Sequence, residues 1–445
     1  MAVHPIEYRY NTKEMLAIFQ EENILQKRLD VEAALARAEA AAKLIPKNAA
    51  EEITKKADVK IVKLERVKEI EAQIDHDLMA IVKALTEKCS PEAGKFVHFG
   101  ATSYDIVDTA WALILREALK LVKEDLVKFK KILLEKAENY KKLVMVGRTH
   151  GQHATPITLG LKFAVWAAEV QRHLERVEKA IEIVSVGKLT GAVGTGAALG
   201  KSSLKIQELL MKELGLGVPL ATNQVLQRDR HAEAIISLSF IGQTLEKIAK
   251  EIRNLQRTEI GEVEEPFREK QVGSSTMPQK RNPHKSERIC GIARVIKANA
   301  IVSLDNIPLE HERDLTDSSA ERIILPESFI LTHYILREAQ NIISGLRVNE
   351  KNIRKNLKLT RGRIMGEALM QKLVEKGVPR QEAHELVRVA AMESFEKDIE
   401  MATALINSGK VKGLLSLKEI EDVLNPENYI GAAVEQIENV IKKLK

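Results

Sequence analysis

An all-α chain organised round very long helices is what this sequence predicts, and three observations carry the prediction. Aromatic residues make up only 4% of the 445 positions and charged residues 30%, while Ala, Leu, Ile, Lys and Glu dominate, a mixture that favours helices with solvated outer faces. Two stretches place apolar residues every three or four positions: Leu115, Leu119, Val122, Leu126, Phe129 and Leu133, then Leu238, Ile241, Leu245, Ile248, Ile252 and Leu255. That spacing is the seam of a helical bundle. In the core region no stretch alternates apolar and polar residues long enough to predict a strand.

Residues 1–103 read as an N-terminal helical domain. Asn11 or Thr12 caps a helix from Lys13 with Glu14 in its first turn, and Asp30 to Leu44 is an Ala-rich helix ended by Pro46. Glu65 to Thr86 is predicted helical and carries Asp75-His76-Asp77, where flanking carboxylates would raise the histidine pKa. Ser90-Pro91 and the glycines up to Gly100 break the pattern.

Residues 104–348 read as the central long-helix domain. Thr102-Ser103 supplies a hydroxyl N-cap for a helix running to about Lys142, roughly 60 Å at 1.5 Å per residue. Gly147-Arg148-Thr149-His150-Gly151-Gln152-His153 interrupts it, and Pro156 is expected in the first turn of the next helix, whose stripe is Val170, Val177, Ile181 and Val184. Gly191, Gly194, Gly196 and Gly200 look like a dinucleotide fingerprint, but no strand precedes them, which excludes a nucleotide cofactor there. They are expected to let backbone approach a ligand or another subunit. Beyond Gln224 and Gln227-Arg228-Asp229-Arg230-His231 the second seam runs to near Glu262; helices at Ser286–Leu304 and from the Glu312–Arg322 block to about Leu346 follow. Residues 349–445 form a C-terminal domain of shorter helices broken at Gly362, Gly377-Val378-Pro379 and Asn425-Pro426. Seams of this length exceed what one chain covers, so a homo-oligomer is expected.

The net charge of +6 is small for the length, and Lys and Glu alternate instead of clustering, which argues against nucleic acid and suits a small anionic substrate. No apolar run approaches the roughly 20 residues of a membrane span, and Met1–Tyr10 lacks a secretory core, so a cytoplasmic enzyme is expected. Cys89 and Cys290 lack zinc-site spacing, and no metal site is expected. The Lys/Glu richness hints at heat adaptation.

Between the long helices lies Gly273-Ser274-Ser275-Thr276-Met277-Pro278-Gln279-Lys280-Arg281-Asn282-Pro283. Two prolines and an opening glycine forbid regular structure, so this is a loop. Its hydroxyls, two cations and an amide are equipment for gripping an anion and moving a proton beside it. A serine serves as a base only where cations and backbone N–H groups stabilise its alkoxide.

This run resembles the signature loop of the fumarase/aspartase superfamily. Together with Arg9-Tyr10, His76-Asp77, Gly100-Ala101-Thr102-Ser103, Gly147–Gly151, Gln227–His231 and Glu312–Pro326, it closely resembles the adenylosuccinate lyase family, with a likeness reaching Asn425-Pro426-Glu427-Asn428-Tyr429-Ile430-Gly431. The resemblance implies three helical domains assembled as a multi-bundle homotetramer, each active site drawing on three subunits. It implies elimination of fumarate from adenylosuccinate, giving AMP, and from the succinylated carboxamide ribotide SAICAR, giving AICAR, without metal or organic cofactor. By likeness to the family, Ser274 is the base, chosen over Ser275 by its place in the motif, His150 is the acid, and Glu287 orients and charges His150. Lys280 and Asn282, with Thr102 and Ser103, would hold the succinyl carboxylates. Gln224 would contact substrate, as would the nucleotide-binding set Arg9, Tyr10, Arg288, Arg313, Ser318 and Arg322. Asp75, His76, Asp77 and His98 would line the pocket. Gln279, Gln152 and Thr155 depart from commoner members, and Gln279 is shared with argininosuccinate lyases. The alternatives are therefore another fumarate-releasing lyase, a carboxymuconate cycloisomerase, or a non-catalytic scaffold.

Overall fold

A computed structural model describes residues 3–445, and helices dominate it. The first to matter are α1 (Glu21–Ala41), α2 (Leu64–Ile74) and α3 (Asp77–Thr86). The single helix expected over Glu65–Thr86 is two, because Asp75 adopts a left-handed φ of 52° and His76 then caps α3, its Nδ1 accepting from the Met79 N–H at 3.3 Å. A short polar Asp tolerates that conformation and stops a helix.

Then comes α4 (Ser103–Asn139), whose 37 residues span about 55 Å. Its start is fixed by Asp105, whose carboxylate accepts from the Thr102 N–H at 2.8 Å. All six seam residues from Leu115 to Leu133 are fully buried.

The structure corrects the expectation of no strands. A hairpin follows α4: β1 (Val144–Thr149) pairs antiparallel with β2 (Gln152–Thr158). Pro156 therefore lies in β2, opposite Val146, and the next helix, α5 (Leu159–Val184), starts three residues later than Pro156 predicts. The turn residues His150 and Gly151 have φ of 53° and 74°, the primed geometry that two-residue hairpins favour. Helix α6 (Asp229–Leu255), strand β3 (Val263–Glu264), helices α7 (His284–Asp305) and α8 (Thr316–Ser344) and strand β4 (Arg347–Val348) complete the central region, β3 pairing with β4. Shorter helices fill the remainder to Leu444.

The chain divides into two compact units. One comprises Met1–Val127, His173–Leu245 and Gly291–Arg337; the other comprises Lys128–Arg172, Glu246–Cys290 and Glu338–Lys445. In the first, the glycine-rich run wraps a buried carboxylate. Asp105 accepts from the N–H groups of Thr190 and Gly191 and is ion-paired with buried Lys188. Gly194, at φ 92°, passes so close to Thr222 that a Cβ would sit 2.3 Å from its carbonyl oxygen. At Gly194 the close approach is made to the chain itself. Arg228, also buried, holds Asp108 through two nitrogens at 3.1 Å and Asp317 at 2.6 Å, while His231 lies 2.7 Å from Glu321. Among the described residues no helix is long and apolar enough to cross a membrane.

Candidate active site

In the first unit the junction of α2 and α3, the start of α4 and the start of α8 meet round a cavity of about 610 Å³. It gathers Asp75, His76, Asp77, Ser103, Gln224, Arg313, Ser318 and Arg322 from positions 75 to 322. Tyr104 is the centrepiece. Its ring carries the Arg313 guanidinium, whose central carbon lies 3.5 Å from the ring centroid, and its hydroxyl donates to Ser318 Oγ at 2.9 Å. Arg313 Nη1 also donates to Gln224 Oε1 at 2.8 Å, while its Nε is buried without a hydrogen-bond partner among the described residues. Arg322 donates to Asp77 at 2.8 Å and Arg28 to the same carboxylate at 3.4 Å. Burial alone would raise the Asp77 pKa, but Arg28 and Arg322 more than reverse this and hold it below the ordinary carboxylate value.

Four expected residues of this unit are not among those lining the cavity. Thr102 spends its N–H on Asp105. His98 places Nδ1 2.7 Å from Glu32; burial opposes the imidazolium, but that carboxylate raises its pKa overall. Arg9 Nε donates to the Tyr10 hydroxyl at 3.1 Å, and the Tyr10 ring lies 5.7 Å from that of Tyr334.

The second unit holds the groups expected to move protons. His150 stands exposed at the hairpin turn, with no hydrogen-bond partner among the described residues. The loop expected over 273–283 is a loop. Its neck is closed by Asn282, whose Nδ2 donates to the Gly273 carbonyl at 2.9 Å, and a Cβ on Gly273 would lie 2.1 Å from the Lys280 carbonyl oxygen, so only glycine fits. Ser274 Oγ accepts from the N–H groups of Thr276 at 3.3 Å and Met277 at 3.1 Å. Lys280, Asn282 and Glu287 line a second cavity of about 880 Å³, together with Arg253 and Arg257 of α6 and the segment that follows it. Glu287 is exposed in the first turn of α7. Among the described residues no hydrogen bond or ion pair joins it to His150. Arg288 lies 3.7 Å from Glu338. The described residues contain no group of three or more His, Cys, Asp or Glu side chains arranged to hold a metal.

Sequence reasoning missed Tyr104, Arg253 and Arg257. Tyr104 had a signal, an aromatic directly after the Thr102-Ser103 helix start. Arg253 and Arg257 had only their one-turn spacing, which any solvated helix face shares.

A mostly helical chain with a clasped, hydroxyl-bearing loop between two long helices defines a class. The family model described as Lyase matches residues 6–297. Among solved structures, a fumarate lyase from Mesorhizobium sp. BNC1 superposes with a TM-score of 0.91 at 33% identity, over 97% of this chain and 98% of that one. A 3-carboxy-cis,cis-muconate lactonizing enzyme from Pseudomonas putida gives 0.91 and 33%, over 99% and 98%.

The particular branch follows from the model described as Adenylosuccinate lyase C-terminus, which matches residues 362–440. Adenylosuccinate lyase of Methanocaldococcus jannaschii is 52% identical over 446 residues, covering 100% of this chain and 96% of its own. That of Pyrococcus abyssi is 54% identical over 441 residues, covering 99% and 98%. The chain belongs to the adenylosuccinate lyase family.

Proposed function

We propose that the chain performs the adenylosuccinate lyase reaction with a base and an acid both carried by the second unit, Ser274 and His150. The base takes the proton from the carbon next to a succinyl carboxylate, the electron pair left behind forms the C=C bond of fumarate as the C–N bond breaks, and the acid protonates the departing nitrogen, leaving AMP. SAICAR undergoes the same elimination to give AICAR. Lys280 and Asn282, with Thr102 and Ser103, neutralise the charge that builds on the carboxylate, and Glu287 orients and charges His150.

The observation that carries this reading is the cavity of the first unit. It brings Arg313 and Arg322 together with Ser103, Gln224 and Ser318, and arginines give phosphate a planar, two-pronged grip. The buried, partnerless Nε of Arg313 adds a donor that a ligand can satisfy. Arg9, Tyr10, Asp75, His76, Asp77, His98 and Arg288 complete the nucleotide and pocket contacts. Ser274 is favoured over Ser275 because two N–H groups already point at its oxygen, as an alkoxide requires. The three domains proposed at 1–103, 104–348 and 349–445 assemble as a cytoplasmic homotetramer, and each site combines residues of three subunits. The test is ultraviolet absorbance during incubation with adenylosuccinate. Conversion to AMP is expected; turnover of argininosuccinate instead, with no AMP formed, would overturn the reading.

A further inference from the structure

Three carboxylates fall within four residues at Glu262-Val263-Glu264-Glu265, and none of them lines either cavity described above. Such crowding of like charge is unfavourable unless each carboxylate has its own counter-group. Here each does, and the three counter-groups belong to three different elements of the second unit. Glu262, fully buried, accepts from Arg148 in a two-pronged pair, Nη1 at 2.9 Å and Nη2 at 2.6 Å, and from Asn356 Nδ2 at 2.8 Å. Arg148 is in β1, two residues before His150. Glu264 accepts from Arg281 Nη1 at 3.0 and 3.2 Å, gripping the loop one residue before Asn282 closes its neck. Glu265 accepts from the Ser286 N–H at 2.7 Å and from the Ser286 hydroxyl, capping the first turn of α7 directly before Glu287.

The segment is itself held firmly. Val263 is buried and pairs with Val348, and the Asn349 N–H donates to the Glu262 carbonyl at 2.9 Å. Gln256 ties the set together, accepting from the Glu265 N–H at 2.9 Å and donating to the Arg281 carbonyl at 3.0 Å. The loop therefore has a fixed C-terminal leg, at Arg281 and Asn282, and a tip from Ser274 to Gln279 whose side chains, among the described residues, make only the local hydrogen bonds to Ser274 Oγ.

We propose that Glu262, Glu264 and Glu265 are positioning residues: one short segment that registers the hairpin of His150, the neck of the Ser274 loop and the helix start bearing Glu287 against a single rigid point. It rests on the roles given above to His150, Ser274 and Glu287. None of the three carboxylates touches substrate; each acts through the element it holds, and a displacement of about 1 Å at a reacting group costs on the order of 100-fold in rate.

The test combines steady-state kinetics with amide hydrogen exchange on the full assembled enzyme. Glu262→Gln is expected to lower kcat about tenfold or more with KM changed less than about twofold, and to quicken exchange over 144–158 but not over 273–283. Glu264→Gln is expected to lower kcat similarly and to quicken exchange over 273–283 but not over 144–158. Arg148→Lys, which keeps the charge and loses the two-pronged geometry, should repeat the first pattern and serves if Glu262→Gln fails to fold. A kcat within about twofold of the parent, or exchange that rises alike in both elements, would overturn the proposal. The exchange pattern is read independently of catalysis. If His150→Ala and Ser274→Ala kept full activity, the catalytic roles would fail, while exchange would still show whether each carboxylate holds its own element.

Discussion

The cavity of the first unit and the loop of the second differ in how their polar side chains are occupied. In the cavity the side chains already hold one another: Arg313 lies on Tyr104 and donates to Gln224, Tyr104 donates to Ser318, and Arg322 pairs with Asp77. On the loop and hairpin, His150, Lys280 and Glu287 have no such partner among the described residues, and Ser274 is met only by backbone N–H groups. With the roles proposed above, the difference separates binding from chemistry. A surface that grips a nucleotide gains from being formed beforehand, since ordering it later would cost affinity. A group that must exchange protons gains from having no strong partner to give up first.

The comparison breaks most visibly if the free groups prove dispensable. His150→Ala and Ser274→Ala should each lower kcat by about 100-fold to 10,000-fold with the oligomer intact, measured by absorbance and by size-exclusion chromatography. Near-normal rates in either would remove that residue from the chemistry. Next in size is the framework behind the cavity. Arg228→Ala strands the buried carboxylates of Asp108 and Asp317 and should cost about 3–5 kcal/mol of stability, read by denaturant or thermal melting.

A smaller effect sharpens the contrast between binding and turnover. Arg313→Gln should raise KM about tenfold or more, as loss of a charged hydrogen bond implies, and lower kcat much less. A fall in kcat at unchanged KM would move Arg313 from the binding group to the chemical one. The smallest effect concerns Glu39 of α1, which is fully buried with neither carboxylate oxygen hydrogen-bonded among the described residues. Burial first, then repulsion from Glu32, pushes its pKa up from 4.5 to about 8. The folded chain thus keeps a proton that the unfolded chain releases between those values, so stability falls as pH rises from about 4.5 to 8. Glu39→Gln should flatten that part of the melting-temperature profile; an unchanged profile would show that Glu39 does not titrate there.

The helical seams were legible in the sequence because a bundle seam is a repeated local signal: Leu115 through Leu133 and Leu238 through Leu255 are all buried. The hairpin was not. Val144-Met145-Val146 does not alternate in polarity, and all three side chains are buried, so the period of two that marks a half-exposed strand is missing. Pro156, which elsewhere opens helices, sits instead in β2. The loop was legible from its prolines and glycine. Its anchoring was not, because nothing local says that Glu264 will meet Arg281 or that Glu262 will meet Arg148, 114 residues away. The cavity was legible only as scattered motifs, which folding brings together from positions 75 to 322.

The most direct test is a crystal structure of the assembled Ser274→Ala protein soaked with adenylosuccinate, which this variant should bind but not cleave. The phosphate is expected against Arg313, Ser318 and Arg322. The succinyl C–N bond is expected between the His150 imidazole on one side and residue 274 on the other. A succinyl group bound away from both residues would contradict the account.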